Sequence, residues 1–220
     1  MTVSSSQKQT LPAAVTGTFY YKVKRILDIL SALIGLILCA LPLGILVLLI
    51  YLDDPGTAFF LQDRVGQNGR IFRLYKLRTM RRDAPAYLST EEMEHPGQYV
   101  TKLGRILRKL SLDEIPQLFN VLKGDMSLIG PRPLIPQEKD IHALRTEYGV
   151  YALRPGITGL AQINGRDQVE WDEKVRLDAE YLQQFGFLTD VSIFLRTIPK
   201  VVDSEGVRLD EWEPETGDAE

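Results

Sequence analysis

The sequence has little of what metal and redox centres are built from: one cysteine, Cys39, and two histidines, His95 and His142, in 220 residues. A lone thiol inside an apolar run excludes a disulfide framework and a thiolate zinc site, and it is compatible with a reducing compartment. Two distant imidazoles without ligand spacing argue against zinc or redox-metal chemistry. If a metal is used, the composition leaves carboxylate-bound Mg²⁺. An excess of positive charge is also missing. The formal net charge is −3, which argues against a nucleic-acid partner held by overall charge. No internal repeat is visible, and the length suits one domain, or a modest domain with a membrane anchor.

What is present begins with hydrophobicity. Residues 1–18 are rich in Ser, Thr and Gln without period and read as a disordered lead-in. From Ile26 to Leu52 the chain is almost wholly apolar, with Asp28 and Ser31 as its clearly polar side chains. The run is too long for a signal-peptide core and ends at Asp53-Asp54-Pro55 without a small-residue cleavage site. Its length permits spanning a bilayer. Pro42, followed by Gly44, stands near its middle, where a proline removes one hydrogen bond and crowds the preceding turn. Lys22, Lys24 and Arg25 flank one end, and Arg64, Arg70, Arg73 and Lys76 follow the other. Basic residues on both flanks favour a segment that enters, turns near Pro42 and returns to the same side. Spanning with a proline kink is the alternative.

Beyond the anchor, Ala58 to Gln62 and Ile71 to Leu77 flank Gly66-Gln67-Asn68-Gly69, an Asn-Gly hairpin signal. Residues Met80 to Gln98 read as a surface excursion. Tyr99 to Leu110 has helical period, with Val100, Leu103, Leu107 and Leu110 on one face and Lys102, Arg105, Arg108 and Lys109 on the other. In isolation such a helix suits a membrane interface or a core-facing position equally, and the adjacent membrane anchor favours the interface. Pro116 to Lys123 reads as a short helix closed by Gly124. Gln168 to Phe185 forms a helix with Trp171, Val175, Leu182 and Phe185 as its stripe. Phe187, Val191, Phe194, Leu195, Ile198 and Val202 follow at helical spacing. The expected fold is mainly α with a short β-hairpin.

Four segments concentrate residues suited to phosphate chemistry: Tyr75 to Met80, Ser111 to Gln117, Gly130 to Pro133, and Arg154 to Gly159 continuing through Asn164 to Arg166. Adjacent carboxylates, Asp113 and Glu114, cannot easily flank a glycosidic bond from opposite faces. One can instead attack phosphorus while its neighbour binds Mg²⁺ or orients the site. Ser111 and Glu114 also fit a capping box, with Asp113 complementing a helix dipole, although Pro116 would then remove a hydrogen bond from the first turns. Arg132, between Pro131 and Pro133, sits on a backbone biased to an extended conformation that can aim a guanidinium at phosphate or a base edge. Lys76, Arg78, Arg108, Arg154 and Arg166 are either further phosphate ligands or solvated surface charges.

In this order the segments resemble the bacterial sugar transferases that start glycan assembly on a lipid carrier, the monotopic polyprenol-phosphate phosphoglycosyl transferases. The matching pieces are Lys24 to Asp28 entering the apolar run, Tyr75 to Met80, Ser111 to Gln117, Gly124 to Pro133, and Arg154 to Arg166, and they span roughly residues 20–202. The resemblance implies a re-entrant membrane helix hairpin broken at Pro42 and interfacial amphipathic helices around a small cytoplasmic catalytic domain. It also implies an Asp113-Glu114 dyad with Mg²⁺. Asp113 would attack the sugar-proximal phosphorus of a UDP-sugar, release UMP and pass the phosphosugar to polyprenyl (undecaprenyl) phosphate. Glu114 would assist with metal and proton handling. Arg132, with Pro131 and Pro133, would belong to the nucleotide site, and Lys76, Arg78, Arg108, Arg154 and Arg166 would bind phosphate. Some relatives carry serine before the membrane-helix proline, where this chain has Leu41.

The division that follows is a lead-in at 1–18, an anchor at 19–54, a catalytic domain at 55–203 and an acidic tail at 204–220. The expected location is the bacterial inner membrane with the catalytic domain on the cytoplasmic face. Membrane lipids are the expected partners, and a homodimer is compatible. The competing reading is a tethered scaffold whose basic face holds anionic lipids.

Overall fold

The computed structural model describes residues 15, 17–84, 96–165 and 170–202. Most of the expected lead-in, residues 85–95 of the surface excursion, Arg166 and residues 203–220 lie outside the described residues.

Thr18 opens the first helix. Its hydroxyl accepts a hydrogen bond from the Tyr21 amide at 3.2 Å, the N-cap geometry that supplies an orphan donor with a partner. Helix α1 then runs Phe19–Asp53 as one element with Pro42 inside it. The expected break into two helices joined by a turn therefore does not form. A proline takes out one donor and crowds one turn, which a helix survives when the bonds on either side are kept.

Along the middle of α1, Ile37, Leu38 and Leu41 are unshielded, Leu41 to 75%, and the helix is long and apolar enough to cross a membrane. Its two ends are seated differently. Near the start, Ala32 is buried with Phe72, Leu74, Val121 and Met126. Near the end, Ile50 is buried with Ala58, Leu77 and Leu107, and Leu43, Leu46 and Val47 pack onto that group. Both ends of the helix thus rest on the same folded body.

Strands β1 (Phe59–Val65) and β2 (Ile71–Leu77) pair antiparallel, Phe59 opposite Leu77 and Val65 opposite Ile71. The Asn-Gly signal is realised: Asn68 and Gly69 have φ of 56° and 73°, the left-handed values that such turns demand. Strand β1 continues to Val65, past the expected end at Gln62, because Val65 also bridges to Leu134. Helix α2 (Lys102–Lys109) starts on a Thr101 cap that accepts from the Gly104 amide at 2.9 Å. A Cβ on Gly104 would lie 2.0 Å from the Thr79 carbonyl oxygen, so only glycine lets α2 lie against the end of β2. The apolar face of α2 divides, with Leu107 buried and Ile106 and Leu110 exposed.

A 3-10 turn at Leu112–Glu114 leads into α3 (Gln117–Lys123), which ends on Gly124 at φ 93°. Strand β3 (Ser127–Ile129) then pairs in parallel with β4 (Gly156–Thr158), a second small sheet that the sequence pattern does not announce. Around it lie α4 (Lys139–Glu147), α5 (Leu160–Ile163), α6 (Trp171–Gln183) and α7 (Phe187–Val202). Helix α6 buries Val175, Ala179 and Leu182, close to the expected stripe. Helix α7 buries Ile193 and leaves Phe187, Leu188, Phe194, Leu195 and Ile198 exposed. The described chain is mostly helical with small sheets and one long apolar N-terminal helix.

Polar contacts lock α1 to this body. Lys24 Nζ reaches Asp190 Oδ2 on α7 at 2.7 Å. The same carboxylate accepts from the Tyr20 hydroxyl at 2.6 Å and the Tyr181 hydroxyl at 2.7 Å. Asp28 Oδ1 accepts from the Leu128 amide at 3.1 Å. Three donors on the Asp190 carboxylate and one on Asp28 are how charges so deep avoid the cost of burial without partners.

Candidate active site

Ser111 adopts φ 55°, unusual for a residue with a Cβ, and its side chain makes no capping bond. The capping-box reading of Ser111 and Glu114 is therefore not what the chain builds. The left-handed turn instead reverses the chain after α2 and carries Asp113 and Glu114 inward, ahead of α3.

The helix that supports them is held at three places. Asn120, fully buried, accepts from the Tyr75 amide at 3.0 Å and donates to the Arg73 carbonyl at 2.7 Å, so it fastens α3 to β2 through the backbone. Arg25 donates to the Val121 and Leu122 carbonyls at 2.7 and 3.0 Å, the cationic capping that a helix C-terminus favours. Arg154 donates through Nε to the Gly124 carbonyl at 2.9 Å. The dyad is thus fixed relative to β2, and Lys76 comes from that strand.

Lys76 Nζ donates to Glu114 Oε1 at 2.7 Å and lies 3.7 Å from Asp113 Oδ2. Asp113 is only 7% exposed. Burial pushes its carboxyl above the usual range, Lys76 opposes the shift, the Glu114 charge adds to it, and Arg108 opposes it. Arg108 is steadied by a 2.9 Å bond from Nε to the Thr79 hydroxyl. Lys76 and Arg108 are therefore the cations that the fold brings to the dyad.

Other expected site residues are placed elsewhere. Arg78 is turned to the end of α1, 3.3 Å from Asp54 Oδ2, and also donates to the Asp54 carbonyl. Arg154 donates to the Tyr21 hydroxyl at 3.1 Å and lies over its ring, a structural post for α1 and α3. The Pro131-Arg132-Pro133 segment is gripped by its carbonyls, since prolines have no N–H to offer. Pro131 accepts from the Gly156 amide at 2.8 Å, Arg132 from Arg145 at 2.7 Å and Pro133 from Arg64 at 3.1 Å. This segment lies at the turn end of the hairpin. Lys76 is at the other end, about 17 Å away along the strand at ~3.4 Å per residue. Arg166 lies outside the described residues.

Sequence reasoning passes over Asn120, the hold of Arg25 on the end of α3 and the Lys24–Asp190 pair. Asn120 carries one local signal, a lone amide between Phe119 and Val121 in a short apolar helix. The others depend on contacts across the whole chain.

Among the described residues no group of three or more His, Cys, Asp or Glu side chains could hold a metal. The two dyad carboxylates match Mg²⁺, which commonly takes one or two carboxylates and completes its shell with substrate phosphates and water. Chemically, a buried carboxylate beside a second carboxylate and two cations suits attack on an electrophile that itself carries negative charge.

Comparison with known proteins gives consistent matches. A sequence profile of the bacterial sugar transferase family matches residues 19–204. The chain is 41% identical over 189 residues to the uncharacterized sugar transferase EpsL of Bacillus subtilis, covering 84% of this chain and 90% of that protein. It is 41% identical over 191 residues to the UDP-glucose:undecaprenyl-phosphate glucose-1-phosphate transferase of Caulobacter vibrioides, covering 83% and 70%. With the undecaprenyl-phosphate galactose phosphotransferase of Salmonella typhimurium it shares 36% over 197 residues, covering 83% of this chain and 41% of that relative. The chain spans less than half the length of that last protein.

Proposed function

The chain belongs to the bacterial sugar transferase family, and on that basis we propose that it moves a sugar-1-phosphate from a UDP-sugar to undecaprenyl phosphate and releases UMP. The observation that carries this reading is the buried Asp113 beside Glu114 and Lys76, in a chain whose relatives include sugar phosphotransferases named for undecaprenyl phosphate.

The chemistry divides into two displacements at one phosphorus. A carboxylate oxygen of Asp113 forms a bond to the sugar-proximal phosphorus of the donor. The bond from that phosphorus to the bridging oxygen breaks, and UMP departs with the oxygen and its electron pair. A phosphate oxygen of the lipid carrier then bonds to the same phosphorus, and the Asp113 carboxylate is released. Burial keeps water from intercepting the acyl phosphate, Lys76 and Arg108 hold Asp113 as the anion against that burial, and Glu114 positions the Lys76 ammonium. Mg²⁺ held by Asp113 and Glu114 would supply charge neutralisation on the diphosphate. The step is tested by mass spectrometry of the purified chain mixed with a UDP-sugar and Mg²⁺ without lipid acceptor. An adduct of one phosphosugar on the Asp113 peptide is the expected result, absent after chelation. UMP release only when acceptor is added, with no adduct at any time, would show direct transfer instead.

The membrane arrangement follows from α1. Its exposed apolar middle belongs in lipid, yet both ends pack on one body rich in charge, which cannot straddle a hydrocarbon core of roughly 30 Å. That packing favours a re-entrant anchor that returns to the side it entered, with the exposed apolar faces of α7, of Ile106 on α2 and of Leu110 just past its end lying in the interface. The body then lies on the cytoplasmic side of the inner membrane, where the basic flanks prefer to stay. Single cysteines at Lys22 and Asp63, in a Cys39→Ser background, are expected to react with an impermeant maleimide from the same side. Labelling from opposite sides would eliminate the re-entrant anchor.

A further inference from the structure

Strand β2 does not release the chain at Leu77. Residues 79–81 run on beside 99–101: the Thr101 amide donates to the Thr79 carbonyl at 3.0 Å, the Arg81 amide donates to the Tyr99 carbonyl at 2.8 Å, and Met80 bridges Val100. Helix α2 therefore begins already fastened to Thr79. Its first turn closes down further, because Gly104 rests on the Thr79 backbone at a distance that no Cβ allows. Leu107, on the next turn, is buried with Ile50, Ala58 and Leu77. The Thr79 backbone and this apolar contact seat α2 without help from the Thr79 side chain.

The side chain does something else. Thr79 is 6% exposed, and its hydroxyl accepts from Arg108 Nε at 2.9 Å. Arg108 stands four residues after Gly104, on the same face of α2, and helical side chains lean back toward the N-terminus. The arginine stem thus runs over the glycine and meets the threonine that the glycine lets in. A bond made through Nε, where the guanidinium joins its stem, sets the plane of the whole group, and a planar fork pairs with an oxyanion only when that plane is right. The charge so oriented acts on Asp113, on the turn that follows α2. Valine has nearly the outline of threonine, so filling this buried space does not itself require a hydroxyl.

We infer that Thr79 is a positioning residue for phosphosugar transfer, its hydroxyl fixing the plane of the Arg108 guanidinium beside Asp113, and that it acts through Arg108 alone. This rests on the two-displacement reading above and adds to it a residue that works without touching the substrate.

The test is a double-mutant cycle on the full chain in detergent. UMP release is measured with undecaprenyl phosphate and each of UDP-glucose, UDP-galactose and UDP-N-acetylgalactosamine, and the cycle is built on the donor that the wild type turns over. Thr79→Val is expected to lower kcat about tenfold, the scale of a small misplacement of a charged group, and Thr79→Ser, which keeps the hydroxyl, to recover most of that loss. Arg108→Met removes the guanidinium and keeps the length of the stem. In that background Thr79→Val is expected to change kcat by less than about twofold, because no guanidinium is left to place. A threonine that only braced the fold would cost the same factor in both backgrounds. That result would overturn the inference, as would wild-type kcat in Thr79→Val. Thr79→Ala, which removes the hydroxyl without setting a methyl against the arginine stem, runs the same cycle if the valine variant does not fold. Absence of UMP from all three donors with the wild type would overturn the uridine-donor reading, and the role of Thr79 with it.

Discussion

Replacing Asp113 with Asn is expected to lower phosphosugar transfer by at least about 10⁴-fold, the scale on which loss of a covalent nucleophile is felt, with the chain still folded and still membrane-bound. Asparagine fills the same buried volume but cannot form the bond to phosphorus. The substitution also removes a carboxylate whose ionisation burial already disfavours, so folding gives up little. Glu114→Gln is the informative companion. It keeps Asp113 but withdraws the 2.7 Å partner of Lys76 and one oxygen ligand. A smaller loss, roughly 10²- to 10³-fold, is expected from a group that assists without forming the bond. Turnover and adduct mass, measured on both variants beside their circular dichroism, separate the roles. An adduct that survives in Asp113→Asn and vanishes in Glu114→Gln would reverse them, and wild-type turnover in Asp113→Asn would remove the nucleophile from this site.

What could be read from the sequence here was what is decided locally. The hairpin needed only Asn68 and Gly69 in a left-handed pair between apolar runs. Helix α3 needed only Pro116 before it and Gly124 after it, and the dyad was visible because its members are adjacent. The functional placement of the arginines was not readable. Arg78 and Arg154 were expected to bind phosphate, and spacing could not show that their guanidiniums contact Asp54, Gly124 and Tyr21. Arg154 and Tyr21 are 133 residues apart, a pairing that only the folded topology brings about. The unbroken α1 has the same origin. A proline in an apolar run suggests an interruption, but Leu43, Leu46 and Val47 find a packing surface immediately beyond it, and that surface keeps the helix going. Gln162, whose buried amide atoms have no hydrogen-bond partner, leaves no trace in spacing at all, since orphaning is a property of what surrounds a group.

The pair Arg145–Asp178 shows how much of the fold depends on such long-range choices. Both side chains are buried, 3% and 1% exposed, with Nη2 and Oδ2 2.5 Å apart, and Arg145 Nη1 also holds the Arg132 carbonyl at 2.7 Å. Burial pushes the Asp178 carboxyl up to about 6 even against the pull of Arg145 and of Lys174. Removing the guanidinium by Arg145→Ala would leave that carboxylate uncompensated, which costs about 3–5 kcal/mol. In a domain of this size that lowers Tm by roughly 6–20 °C. The sign of the pH dependence follows from the raised value. Between the unfolded carboxyl's pKa near 4 and about 6, the folded state binds more protons than the unfolded one, so this group's contribution falls as pH rises through that window. Without Arg145 the folded value rises further, and protonation relieves more of the defect. Thermal melts at pH 5 and pH 8 should therefore show a larger gap between wild type and variant at the higher pH. The variant should also bind UMP less well than its stability alone would predict, because the Arg132 carbonyl loses its brace. A variant whose stability lies within about 1 kcal/mol of wild type at pH 8 would mean that the Asp178 carboxylate is compensated without Arg145, and that this pair does not hold the Pro131–Pro133 segment in place.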